Sequence, residues 1–158
     1  MAKIEAWFDG CCEPRNPGGH AAWGAVVHVD GVSVYRDGGY CGSGPGMSNN
    51  VAEYSGFVAA LKEALKYDGK IHVRGDSRLV VCHLDVKAAR KLGYGGLWKM
   101  NGGLYLPFYR EAKALVDQHR GRISLEWIPR DLNEICDVLS KKELLDRGVV
   151  FRIQPIKE

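Results

Sequence analysis

The chain has 158 residues, of which 46% are hydrophobic and 26% are charged, the balance of a globular protein about one domain in size. No apolar run reaches the length of a membrane span, and residues 1–12 lack the basic and apolar regions of a secretory signal. We therefore expect a single domain over 1–158, with its core over about 3–147 and a tail over 148–158, in a monomeric cytoplasmic protein without a membrane partner.

The first half of the chain predicts three antiparallel strands and a helix. Strands are predicted over 3–12, 21–29 and 32–41, because these segments carry β-branched and aromatic residues in rough alternation. Asp30-Gly31 is a two-residue hairpin signal, since both positions of that turn favour positive φ. A helix is predicted next by an apolar stripe at helical spacing, formed by Tyr54, Phe57, Val58, Leu61, Ala64 and Leu65.

The second half alternates strands and helices. Strands are predicted over 70–74 and 124–128, and helices from about Ser77, over 104–119 and over 132–147. This alternation is typical of parallel pairing, so the predicted fold class is α/β, with a mixed five-stranded sheet of three antiparallel and then parallel strands, flanked by helices. Residues after Gly148 are apolar and then polar, and either pack back on the domain or fray.

Four acidic residues lie in distinct local contexts: Asp9, Glu53, Asp76 and Asp137. Carboxylates that converge repel each other unless cations lie between them, and magnesium is the hard cation that suits such a group. For Asp9, a metal ligand and the start of a turn at Asp9-Gly10 are equally good interpretations from the residues alone.

The other three acids have ordinary structural explanations as well. Glu53 stands three residues after Asn50, the capping-box spacing, and the residues alone favour a cap unless the helix begins at Ser48. Asp76 precedes a helix start, where an N-cap is an alternative to a functional group at the end of a parallel strand. Asp137 is either functional or a solvated surface acid, with capping of its helix assigned to Asp131 and Glu134.

The order of these contexts resembles the type 1 ribonuclease H family over about residues 3–144. The motifs that carry the resemblance are Asp9-Gly10 followed by Asn16 to Gly19, then AWGAVV, SNNVAEYSGFVAAL, GDSRLVV and NEICDVLS. The resemblance implies a ribonuclease H-like fold and an enzyme that cuts the RNA strand of RNA/DNA hybrids without strong sequence specificity. It implies two Mg²⁺ ions, with Mn²⁺ as an alternative, and products with 3′-hydroxyl and 5′-phosphate ends.

The resemblance also assigns roles to the four acids. Asp9 would bridge both ions, Glu53 and Asp76 would bind one of them, and Asp137 would bind the other. In phosphodiester hydrolysis, two such ions stabilise the attacking water and the leaving oxygen.

Substrate contacts are implied for Asn16, Ser48, Asn49 and Asn50, whose short amides and hydroxyl suit the minor groove, where RNA displays its 2′-hydroxyls. Loop and cap formation is an alternative that is compatible with this role. Trp98 and Lys99 resemble a substrate-gripping element, preceded by an insertion over 85–96 that is either part of it or a surface loop.

The chain departs from the family's pattern in two loops. The loop over 128–133 lacks the histidine that many members carry before the last acid, and Arg130 or Glu134 is the candidate to fill its role. In the first loop, Glu13 adds a negative charge near the expected phosphate, which we expect Arg15 to offset. The adjacent Cys11 and Cys12 should face opposite sides of their strand.

The stretch over 87–122 is basic: its cations are Lys87, Arg90, Lys91, Lys99, Arg110, Lys113, Arg120 and Arg122, against Glu111 and Asp117. Contact with a phosphate backbone and a solvated helical face are equally good interpretations of this excess.

Two other functions remain open from the sequence. One is a module that binds RNA/DNA hybrids or double-stranded RNA without catalysis, although a pure binder has no reason to keep mutually repelling acids together. The other is a DNA-cutting nuclease on the same fold, against which Asn16, Asn49 and Asn50 favour the hybrid.

Overall fold

A five-stranded sheet lies at the centre of the protein, whose residues 1–152 are described by a computed structural model. The strands are β1 (Ala2–Glu13), β2 (Gly18–Val29), β3 (Val32–Gly44), β4 (Gly69–Gly75) and β5 (Ile123–Trp127), in the order β3-β2-β1-β4-β5. The first three pair antiparallel, and β4 and β5 join parallel to β1. The mixed sheet predicted from the sequence is confirmed.

In the described part of the chain, five α-helices flank the sheet: α1 (Asn49–Ala64), α2 (Arg78–Leu84), α3 (Val86–Lys91), α4 (Leu106–Gln118) and α5 (Glu134–Leu145). The alternative of a surface loop over 85–96 is wrong for its first half, which forms α3. The last helix begins two residues later than predicted, because a 3₁₀ turn over Arg130–Leu132 precedes it.

The turn between β2 and β3 has the predicted hairpin geometry. Asp30 and Gly31 have φ values of 50° and 82°, which are the positive values that this turn demands. The Asp30 carboxylate also accepts a hydrogen bond from the backbone N–H of Lys3 at 2.9 Å, so the turn is attached to the neighbouring strand.

The main core lies between α1 and one face of the sheet. Alternate residues of the central strand, Ile4, Ala6 and Phe8, are buried against the helix stripe predicted from the sequence. The ring of Phe8 meets that of Phe57 edge to face at a centroid distance of 5.5 Å. This packing fixes α1 over β1.

The opposite face of the sheet carries α5 and the start of the tail. Cys11 packs in a cluster with Leu144 and Phe151, whereas Cys12 packs in another cluster with Ala52, so the two cysteines face opposite sides as predicted. Residues 149–152 therefore pack back on the domain. The rest of the predicted tail, 153–158, lies outside the described residues.

The charge of Glu13 is balanced differently from the prediction. Its carboxylate accepts a hydrogen bond from the guanidinium of Arg152 at 2.8 Å. The expected offset by Arg15 is wrong, because a residue distant in sequence reaches Glu13 when the tail folds back.

The carboxylate of Asp85 ties α3 to the edge strand β5. One oxygen caps α3 by accepting from the N–H of Ala88 at 3.0 Å, and the other accepts from the N–H of Leu125 at 2.8 Å. An edge amide that would otherwise be unpaired is thereby satisfied. Within residues 1–152, no helix is both long and apolar enough to span a bilayer.

Candidate active site

Two of the predicted acids meet where β4 ends beside the longer β1. The last parallel pair between these strands is Phe8 with Gly75, so Asp9 and Asp76 are the next residues on adjacent strands. Asp9 continues to pair with Gly24 of β2. Asp9 is therefore held in the sheet by β2. On the side of β4, the strand pairing has ended one residue before Asp9.

Glu53 joins these two acids from α1. The helix begins after Ser48, whose hydroxyl accepts from the N–H of Val51 at 3.2 Å. The capping box of Asn50 and Glu53 is therefore wrong, and Glu53, with 5% of its surface exposed, points to the sheet.

Glycines on both elements let α1 approach β1 closely. A β-carbon on Gly10 would overlap the backbone of α1 at Ala52 and Glu53. One on Gly56 would lie 2.8 Å from the carbonyl oxygen of Asp9. Because side chains are absent at both positions, the Glu53 carboxyl reaches Asp9.

Asp9, Glu53 and Asp76 form a cluster, here called the triad. Each offers a carboxylate oxygen, and the three oxygens lie within 4.8 Å of one another. Asp9 Oδ1 accepts from the N–H of Gly10 at 2.9 Å. Over residues 1–152, the buried oxygens Asp9 Oδ2 and Glu53 Oε2 find no hydrogen-bond partner.

Burial and mutual repulsion make the triad hard to ionise. Burial first, then the charges of Asp76 and Asp137, raise the pKa of Asp9 to about 8. Burial, followed by the charges of Asp9 and Asp76, holds the pKa of Glu53 well above its usual range. Burial also raises the pKa of Asp76, although a hydrogen bond with Asp9 and the charge of Arg130 oppose this shift.

These observations fit a divalent cation. Unpartnered buried carboxylate oxygens are costly, and a hard cation would satisfy them and favour their ionised form. The triad lies in a cavity of about 250 Å³ that is also lined by Gly10, Asn49, Trp127 and Arg130. A larger cavity of about 410 Å³, between β1, β2 and the start of α5, lacks this cluster, so we place the chemistry in the smaller one.

Asp76 does not cap the helix that follows it. Ser77 takes that role, accepting from the N–H of Val80 at 3.2 Å. The backbone carbonyl of Asp76 instead accepts from the indole N–H of Trp127 at 3.1 Å. The Asp76 side chain is thus free to face Asp9 while the end of β5 fixes its backbone.

Asp137 approaches the triad from α5 without joining its three-oxygen group. It lies in the first turn of α5, since this helix begins at Glu134 rather than at the predicted residue 132. One of its oxygens lies 2.9 Å from Lys141 Nζ and the other 3.8 Å from Arg130 Nη2. Gly24 allows this placement, since a β-carbon there would overlap the carbonyl oxygen of Cys136.

The predicted capping of α5 by Asp131 and Glu134 is wrong, because the 3₁₀ turn shifts the start of the helix to Glu134 and its N-cap position to Asn133. The buried Asn133 makes no side-chain cap. It donates from Nδ2 to the carbonyl oxygen of Phe8 at 2.8 Å, and this bond joins α5 to the residue before Asp9.

The structure gathers four of the predicted substrate residues at the start of α1. Asn16 accepts from the N–H of Asn49 at 2.9 Å, Ser48 caps the helix, Asn50 lies in its first turn, and Asn49 lines the triad cavity. The alternative interpretation of these residues as loop and cap formers is therefore confirmed. The hydrogen bond of Asn16 also positions Asn49 beside the triad.

Trp98 and Lys99 lie apart from that cavity. Trp98 packs edge to face on Tyr94 and His83, at centroid distances of 5.1 and 6.5 Å, and Lys99 is exposed. Of the two auxiliary candidates, Arg130 lines the triad cavity, whereas Glu134 lines the larger one.

The sequence reasoning missed Trp127 and Gly10 as parts of the site. Trp127 ends a parallel strand beside the triad, where α/β sheets gather functional groups, and the guanidinium of Arg78 stacks 4.5 Å from its ring centroid. The sequence could have indicated Trp127, because this residue lies at the end of a predicted strand. The sequence gives no indication of the role of Gly10, because that role depends on the approach of α1.

Comparison with known proteins agrees with this architecture. Residues 8–143 match the family described as reverse transcriptase-like. The bifunctional protein Rv2228c of Mycobacterium tuberculosis is 36% identical over 126 residues, which cover 79% of this chain and 31% of that protein. Ribonuclease HI of Halobacterium salinarum is 31% identical over 145 residues, covering 91% of this chain and 65% of that enzyme. The chain thus spans about a third of the length of the mycobacterial relative.

Solved structures show the same fold. The N-terminal RNase H domain of Rv2228c superposes with a TM-score of 0.70 at 33% identity, covering 89% of this chain and 97% of that one. RNase H1 of Halobacterium salinarum superposes with a TM-score of 0.71 at 31% identity, covering 91% and 98%. The family match spans the triad and Asp137 together, and the chain belongs to the reverse transcriptase-like family and has the ribonuclease H fold, as its resemblance to type 1 ribonucleases H implied.

Proposed function

We propose that this protein is a metal-dependent endoribonuclease that hydrolyses the RNA strand of RNA/DNA hybrids, leaving 3′-hydroxyl and 5′-phosphate ends. The observation that carries the proposal is the triad, with its three converging carboxylates and two buried oxygens that lack partners among residues 1–152. The likeness to ribonuclease HI of Halobacterium salinarum supports the choice of substrate.

In this proposal Asp9, Glu53 and Asp76 hold one Mg²⁺, and Asp9 with Asp137 holds a second; Mn²⁺ is an alternative. Bound divalent ions would supply a nucleophilic water and stabilise charge on the leaving oxygen. The chain's own residues do the positioning. β1 and β4 fix Asp9 and Asp76, and Gly10 allows Glu53 to complete the site.

The start of α1 would read the hybrid. Asn16, Ser48, Asn49 and Asn50 lie together, and Asn49 lines the cavity, so amide and hydroxyl groups stand next to the acids. Contacts of this kind with 2′-hydroxyls recognise RNA without reading bases, which predicts cleavage without strong sequence specificity.

Other residues would help to hold the phosphate backbone. Arg130 lines the cavity and is our candidate for the role of the absent loop histidine, with Glu134 as the alternative. Trp98 and Lys99 would contact the hybrid further from the acids. We expect the protein to act as a monomer in the cytoplasm.

The buried triad argues against a purely binding module. Three neighbouring carboxyl groups that resist ionisation cost folding free energy, and binding to a phosphate backbone needs positive rather than negative groups. The experiment must still distinguish the proposed hybrid-cutting enzyme from a non-catalytic binder and from a DNA-cutting nuclease.

The test is cleavage of an end-labelled RNA/DNA hybrid beside RNA/RNA and DNA/DNA duplexes of the same sequence, in Mg²⁺ or EDTA. Wild type should cut only the hybrid and only with Mg²⁺, and Asp9→Asn should lose the activity. Asp131→Asn, which changes an exposed acid outside the triad, is the matched control and should cut like wild type. Binding without cutting in any divalent metal would establish the non-catalytic module, and cutting of DNA/DNA the other nuclease.

A further inference from the structure

His83 is a buried polar residue that the proposed chemistry does not use. It lies in α2 with 4% of its surface exposed, and its ring packs against Tyr105 and Tyr109 at the start of α4, at centroid distances of 5.9 and 5.5 Å. An apolar side chain would fill this space at a lower cost, because a buried imidazole needs hydrogen-bond partners for its ring nitrogens. The partners of the ring therefore indicate what His83 does.

The first partner is Tyr54 of α1, the residue directly after Glu53. Its hydroxyl oxygen lies 2.7 Å from His83 Nδ1. Burial raises the pKa of Tyr54, so the hydroxyl keeps its proton and donates it to Nδ1. The ring of His83 is thereby bonded to the helix that carries Glu53.

The second partner is the backbone of Lys99. Burial lowers the pKa of His83, and a hydrogen bond with this backbone opposes the shift. Only a bond that the ring donates favours its charged form, so the acceptor is the carbonyl oxygen of Lys99. The N–H of Trp98 also donates to the carbonyl oxygen of Cys82 at 2.9 Å. Residues 97–103 form no helix or strand, and these bonds hold the Trp98–Lys99 segment against α2.

We propose that His83 is a positioning residue for the nucleic-acid substrate, which joins the Trp98–Lys99 segment to α1 and so holds the ammonium group of Lys99 at a set distance from the triad. This inference rests on the proposed function, in which Lys99 contacts the hybrid. The side chain of Lys99 is exposed, so its charge is available to a phosphate. His83 is itself buried and acts through Lys99, and is therefore not a catalytic residue.

The test is binding of the hybrid over a range of salt concentrations, measured by fluorescence anisotropy with Asp9→Asn as the background. His83→Leu removes both hydrogen bonds of the ring and keeps an apolar side chain in its place. Binding should weaken about tenfold, and the slope of log affinity against log salt should fall by about one unit, although Lys99 keeps its charge. With the triad intact, KM should rise by a similar factor while kcat changes little, since the lost contact lies apart from the acids.

A second change at Lys99 separates positioning from a general loss of stability. Lys99→Gln alone should match His83→Leu, and adding it to His83→Leu should weaken binding by less than about twofold, because the contact is already lost. His83→Gln should restore most of the affinity, since its amide carries both an acceptor and a donor. Ile4→Ala, which shortens a buried side chain in β1, is the control and should lower the stability without changing affinity or salt slope.

The outcomes separate this inference from the proposed function. A folded His83→Leu variant, checked by circular dichroism, with the affinity and salt slope of its background would overturn the inference and leave the proposed function intact. Full additivity of His83→Leu and Lys99→Gln would overturn it as well.

Tyr54→Phe gives the same test if His83→Leu does not fold, because it removes only the hydroxyl that bonds the ring. This variant should weaken binding about threefold, and an unchanged affinity and salt slope would overturn the inference. A wild type that neither binds nor cuts the hybrid would overturn the proposed function together with the inference.

Discussion

Gly10 lies directly beneath Glu53, and a β-carbon at this glycine would overlap the backbone nitrogen of the glutamate. Gly10, the residue after Asp9, is thus the point at which β1 contacts α1, the helix that carries Glu53. The close approach of Glu53 to Asp9 therefore depends on the lack of a side chain at position 10.

Gly10→Ala should push α1 away from β1. We expect a loss of about 1–3 kcal/mol in the free energy of unfolding, the usual cost of overpacking, together with a large loss of hybrid cleavage. Urea unfolding and the cleavage assay measure the two effects. Gly46→Ala is the control, since its β-carbon would meet open space. Equal stability and activity of the two variants would show that α1 adapts without cost.

The stability of the metal-free protein should fall as the pH rises toward the raised pKa of Asp9. That pKa is about 8 in the folded state and near 4 in the unfolded chain. The folded state therefore holds the proton more tightly, and stability is lost with increasing pH. Glu53 and Asp76, whose pKa values are also raised, act in the same direction.

The measurement is urea unfolding in EDTA at pH 6.5 and pH 8. His83, whose pKa is lowered by burial, acts in the opposite direction, since its unfolded form still loses protons above pH 6.5. Comparison with Asp9→Asn cancels this contribution, because both proteins contain His83. Wild type should lose about 1–2 kcal/mol over this interval, Asp9→Asn should lose less, and excess Mg²⁺ should reverse the loss in wild type. An equal loss in wild type and Asp9→Asn would show that Asp9 is not the group responsible.

Asp85 should stabilise the fold through both of its hydrogen bonds. Asp85→Ala removes the cap of α3 and leaves the N–H of Leu125 unpaired, which should cost about 2 kcal/mol. Asp85→Asn keeps one acceptor oxygen and should lie between wild type and the alanine variant. Denaturant unfolding gives the order. Asp68→Ala, an exposed acid at a turn, serves as the control, and a loss of similar size there would point to a general effect of charge.

Binding of the hybrid should weaken as salt rises, because phosphate contacts release counterions. Lys99 is exposed, and Lys99→Gln should reduce the slope of log affinity against log salt by about one unit. Anisotropy titrations with catalytically inactive Asp9→Asn as the background measure the slope. Lys62→Gln, which removes an exposed lysine paired with Glu111, should leave the slope unchanged. A flat salt dependence of the background protein would contradict the predicted role of the basic stretch.

The sequence by itself determined the sheet and the identity of the acids. Alternation in β1 to β3, helical spacing in α1 and the Asp30-Gly31 turn are local patterns, and each reflects the few residues that form it. The sequence also indicated the positions of two acids, because Asp9 lies within a strand and Asp76 directly follows one, and the character of both strands is local.

Only the tertiary structure decided which groups meet. The start of α1 at Ser48 rather than Asn50 turned Glu53 to the sheet, and the start of α5 depends on a 3₁₀ turn that the apolar pattern does not encode. The approach of Asp137 to Arg130, and the pairing of Glu13 with Arg152, depend on how α5 and the tail pack against the sheet. The glycines at positions 10, 24 and 56 let the helices approach the sheet closely, and the energies of such contacts arise between elements and not within them.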